Sequence, residues 1–101
     1  MMKIPSEILE EWQQHSSAPV PKGYGSKKIN GIDLPFLEAE IGGSIRMYIS
    51  SAGQLDSRRI RSLQEHLIEL NTIILLMERE ELAYFDRLRR LATLVLQEVK
   101  K

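Results

Sequence analysis

Residues 54–101 read QLDSRRIRSLQEHLIELNTIILLMEREELAYFDRLRRLATLVLQEVKK, nearly half the chain with neither a glycine nor a proline. Those two residues are the strongest helix breakers, so their absence marks a long helical region, assigned to residues 55–100. Apolar side chains recur through it at alternating steps of three and four: Ile60, Leu63, Leu67, Leu70, Ile74 and Met77, then Tyr84, Leu88, Leu91 and Val95. This spacing places them on one seam, as in a coiled coil. Continuing the count puts Glu81 on the seam, where an apolar residue belongs. Ile73-Ile74-Leu75-Leu76-Met77 is apolar all round and asks for burial from several sides. After Leu82 the stripe widens through Phe85, Ala92, Leu96 and Val99, which implies more than one neighbour.

Unbroken, such a helix would run ~65 Å at ~1.5 Å per residue. One continuous or slightly kinked helix is the first reading. A helical hairpin is the second, with any bend between Asn71 and Glu81. A single rod would leave its apolar waist wet, and burial is worth ~1.5–3 kcal/mol per large side chain. The ten seam residues are therefore read as an oligomer interface, two-fold by the commonest symmetry.

Upstream, Ser6 precedes Glu7-Ile8-Leu9-Glu10-Glu11-Trp12, with a capping serine, early acids and an apolar face. This predicts a short N-terminal helix within residues 1–15, with Trp12 docking it to the body. Residues 16–28 carry two prolines, two glycines and three serines and read as a flexible linker. Residues 29–50 read as a β-hairpin region. Asn30-Gly31 signals a tight reversal, Leu34 to Ile41 and Ile45 to Ser50 read as strands, and Gly42-Gly43 reads as the turn between them. Ile45, Met47 and Ile49 alternate with Arg46, Tyr48 and Ser50. The expected fold is thus α+β in a single domain over residues 1–101: short helix, hairpin, then the long helical region.

Fourteen basic and fourteen acidic residues cancel, and neither half of the chain has a marked excess. No global field draws it to nucleic acid or an anionic membrane. Cysteine is absent, which removes thiol catalysis, disulfides and thiolate metal sites. The longest apolar run is five residues, far short of the ~20 needed to span a bilayer. Acids at Glu7, Glu10 and Glu11 do not suit a secretory signal, and the reading is a cytoplasmic protein.

The residues with chemical potential are few. His66 and Glu69 share a helix face at a metal-compatible spacing, but the pair occurs once and reads as a solvated face. Glu81 on the seam needs a cationic partner, with Arg79, Arg87 or another copy's arginine to hand, and reads as a register device. Lys22, Lys27 and Lys28 lie among glycines in a segment suited to anions, without P-loop spacing. Arg58, Arg59 and Arg61 cluster where the long helical region begins. No catalytic constellation, metal or cofactor site is legible. The expectation is a non-enzymatic interaction protein: a small oligomeric adaptor, assembly factor or regulatory subunit that pairs with itself and an unidentified protein. The alternative is a dimeric nucleic-acid-binding regulator using Arg58, Arg59 and Arg61.

Overall fold

The computed structural model describes residues 4–21, 25 and 27–100. Helix α1 spans Ser6–Ser17, two short strands follow at β1 Lys28–Ile29 and β2 Ile32–Asp33, and then come α2 Leu34–Ser50, α3 Ser57–Ile73 and α4 Arg79–Val99. A 3-10 turn at Ile74–Leu76 separates the last two helices. The protein is mostly helical, and the antiparallel hairpin is its one small sheet among the described residues.

The Asn30-Gly31 reversal forms as its residues dictate. Both have positive φ, 51° and 79°, the requirement of a two-residue turn whose twist suits a hairpin. It pairs Ile29 with Ile32 and Lys28 with Asp33. The expected strands over 34–41 and 45–50 do not form, because that whole stretch is α2. Asp33 caps it, its carboxylate accepting from the Phe36 N–H at 3.0 Å, and Pro35 occupies the first turn, where a missing N–H costs nothing. The large side chains α2 buries are Leu34, Leu37, Ile41, Ile45 and Tyr48, at three- and four-residue steps, with Ser44 buried among them. Within 45–50 the alternation is coincidental: Ile45 is buried, Met47 exposed and Ile49 only partly covered. Gly42-Gly43, read as a turn, lies in mid-helix.

The long helical region also resolves in favour of the second reading. Asp56 caps α3, accepting from the Arg59 N–H at 2.8 Å. The chain then turns back at Ile74 to Glu78, inside the expected 71–81 window. Met77 and Glu78 are extended, and Arg79 enters α4 at φ 26°. The greatest extent of the molecule is 42 Å, well below a ~65 Å rod. The apolar run splits: Ile73, Ile74 and Met77 are buried, while Leu75 and Leu76 face out.

This reversal changes the fate of the ten seam residues. Leu63, Leu70, Ile74, Met77, Tyr84, Leu88, Leu91 and Val95 are buried within the one chain, and Ile60 and Leu67 pack at the edge of the same core. The seam meets its own second half rather than another copy. The wider stripe of α4 is accounted for similarly, since α4 packs against α1, α2 and α3. Helix α1 runs two residues beyond the expected end and buries Ile8 and His15. No helix among the described residues is long and apolar enough to cross a membrane.

Adding a Cβ at Gly43 meets nothing within 4 Å. Gly43→Ala should therefore raise stability by about 1 kcal/mol, the gain of alanine over glycine in a helix interior. Thermal unfolding checks it. A two-residue turn at 42–43 would instead be weakened by the same change.

Candidate functional site

Two places stand out: a polar cluster where the end of α1 meets the start of α4, and an exposed aliphatic corner where α3 turns into α4.

The cluster is built on His15. One helical turn before it on α1, Trp12 packs on the core and lies under Arg46 of α2, whose guanidinium carbon is 5.7 Å from the ring centroid. Gly42 of α2 lies beside this ring: a Cβ there would sit at ordinary contact distance, 3.4 Å from a Glu38 carboxylate oxygen and 3.9 Å from the Trp12 ring. The His15 ring lies 4.5 Å from that of Tyr84 and 5.8 Å from that of Trp12. It is 3% exposed, and neither ring nitrogen has a hydrogen-bond partner among the described residues. Burial, aided by the Arg87 charge, pushes its pKa down to about 4, so the imidazole is neutral at pH 7. Tyr84 is fixed from the other side. Its hydroxyl is pushed up to about 12 by burial, by the Glu38 charge and by the hydrogen bond it shares with that carboxylate, against a smaller opposing effect of Arg87.

Beside this cluster, residues 18–21 and the first turns of α4 enclose a cleft of about 460 Å³. Its walls are Pro19, Val20 and Pro21 on one side and Ala83 and Tyr84 on the other, with Arg87 at one end and Glu80 at the other. Sequence reasoning missed this assembly. His15 and Tyr84 are 69 positions apart, and His15 read as a favourable charge at the negative end of its helix, where it is in fact buried and neutral.

Glu81, the fault in the seam, is buried as the count implies. Its partner is neither Arg79 nor Arg87 but Lys27, whose Nζ lies 3.0 Å from Oε1. The pair clasps the segment before β1 to the start of α4. Lys27 is thereby taken from the lysine group read as an anion contact. Lys22 lies outside the described residues, and Lys28 is exposed on β1. Arg58 and Arg61 are exposed at the start of α3 and Arg59 is half-buried. The hairpin precedes α2 and these arginines follow it, so the two basic groups are separated by the length of that helix, ~25 Å. They do not form one patch. His66 meets Glu69 at 3.9 Å and Ser62 Oγ at 3.3 Å. Among the described residues no group of three or more His, Asp or Glu is placed to hold a metal ion.

The corner is simpler. Ile68 is 64% exposed, Leu75 89% and Leu76 56%. Exposed acids flank them at Glu65, Glu69, Glu78 and Glu80. Comparison of the chain with protein-family models, curated proteins and solved structures finds no match.

The His15 arrangement sets a pH dependence. Between pH 6.5 and about 4 the unfolded chain binds a proton on His15 that the folded chain refuses. Stability contributed by the neutral ring is complete above pH 6.5 and is lost as pH falls through that window, by up to about 3 kcal/mol. His15→Phe should abolish this component and unfold later than wild type at pH 4–5. The check is chemical denaturation of both proteins from pH 7 to 4. A difference between them that stays flat with pH would contradict the assignment.

Proposed function

We propose that the protein is a non-enzymatic interaction module, a small adaptor or regulatory subunit, which pairs with a second copy along the outer line of α3. The observation that carries this reading is the exposure of Ile68 and Leu75, with Leu76 beside them. Large aliphatic side chains left in water on so small a body mark an interaction surface when they cluster.

The choice of a second copy as occupant rests on charge. The exposed positions Arg58, Arg61, Glu65, Ile68, Thr72 and Leu75 recur at steps of three and four along α3 and into the turn. Arg58 and Arg61 lie toward one end of this line, and Glu69 and Glu78 toward the other. An antiparallel pair about a two-fold axis at Ile68 sets Ile68 against itself. It lays the methylene stem of each Arg61 over the partner's Leu75 and brings each Arg58 beside the partner's Glu78. The line is thus complementary to itself in both polarity and charge. Residues 18–21 and the cleft lie off the line and stay available in each copy. The seam buried inside the chain takes no part.

Light scattering at micromolar concentration and above should give twice the chain mass of 11.6 kDa. Ile68→Asp and Leu75→Asp should each give the single-chain mass with unchanged helical circular dichroism, because both positions are already exposed. Arg58→Glu with Arg61→Glu should likewise give single chains, and a Glu78→Arg variant should recover pairing with it. A single-chain mass for wild type up to about 100 μM would exclude the pairing.

A further inference from the structure

We propose that the cleft between residues 18–21 and α4 binds a small monocarboxylic acid with an apolar body, its carboxylate on Arg87 and its body against Tyr84. The site is independent of the α3 line.

The cleft, at about 460 Å³, falls within the size range of small-molecule sites. Its walls are proline, valine and alanine side chains and the Tyr84 ring. Val20 is exposed and gives a ligand apolar surface to cover. The wall is also set before any ligand arrives. The Tyr84 hydroxyl is held by Glu38, and its ring is packed against His15 and Phe85. A rigid wall spares a ligand the ordering cost that weakens most small-molecule binding.

Arg87 supplies the single cationic group lining this cleft among the described residues. Its side chain makes no ion pair with any of them. A guanidinium offers paired N–H donors whose geometry matches a carboxylate. Apolar surroundings strengthen that contact, because less water competes for it. His15, packed on the Tyr84 ring, is neutral at pH 7 and adds no second cation that would favour a more highly charged anion. Glu80 sets the other limit. It lines the same cleft seven residues before Arg87, two helical turns or ~10 Å along α4. A second carboxylate on a ligand anchored at Arg87 would point toward Glu80 and be repelled. The preference is therefore for one acid group and an uncharged tail.

The test is a titration of isotope-labelled protein followed by amide chemical shifts, with hexanoate as the probe. Hexanol carries the same body without charge, and adipate carries a second carboxylate. Hexanoate should give saturable shifts centred on Ala83, Tyr84 and Arg87, with hexanol and adipate each weaker by about tenfold or more. Arg87→Gln should weaken hexanoate to the level of hexanol, Arg87→Lys should retain part of the affinity, and Glu80→Gln should improve adipate selectively. Should Arg87→Gln unfold the protein, the comparison of hexanoate with hexanol on wild type decides alone. Equal binding of acid and alcohol, or no saturable shift for hexanoate at millimolar concentration, overturns the proposal.

Discussion

The reversal at Ile73–Met77 is the constraint on which the rest of the structure depends. Five apolar residues in a row cannot all be buried by a chain of this size, nor can they all stay wet. The 3-10 turn divides them. Ile73, Ile74 and Met77 close one end of the core, and Leu75 and Leu76 are left outside. With the turn in place the seam of α3 meets that of α4, and large side chains such as Leu63, Leu70, Leu88 and Val95 find cover without a second chain. Each such burial is worth ~1.5–3 kcal/mol, far more than the cost of a break in one helix. The exposed corner follows from the same division.

What the sequence revealed and what it hid divide by range. Local signals were legible: the Asn30-Gly31 turn and the register of the seam with its fault at Glu81. The bend window between Asn71 and Glu81 was legible because the pattern changes there, although no glycine or proline marks it. Residues 34–50 were misread because Ile41, Ile45, Met47 and Ile49 fit a period of two nearly as well as one of 3.6. The telling residues were Asp33 and Pro35, a cap and a first-turn proline, and the paired glycines outweighed them. The Lys27–Glu81 contact and the stacking of His15 on Tyr84 join residues 54 and 69 positions apart. No local pattern encodes them.

His15 shows the clearest conflict between stability and whatever else the chain requires. A buried imidazole with both nitrogens unpartnered among the described residues is worse than a phenyl ring of similar size, by the desolvation of its polar atoms. It stands behind Tyr84, a wall of the cleft beside residues 18–21. Local rules are commonly broken near functional positions, and this neighbourhood breaks one.

The packing of α1 on α4 has a consequence for how the protein comes to exist. Helix α1 leaves the ribosome before α2 and α3, yet its main packing partner is made after them, by residues 79–99. Helices α2 and α3 are adjacent in sequence and pair as soon as both are made. The N-terminal helix touches α2 only through a few residues such as Trp12 and must wait with much of its apolar face in water until α4 has been made. Of the four helices, the first to be translated is the last to find its place.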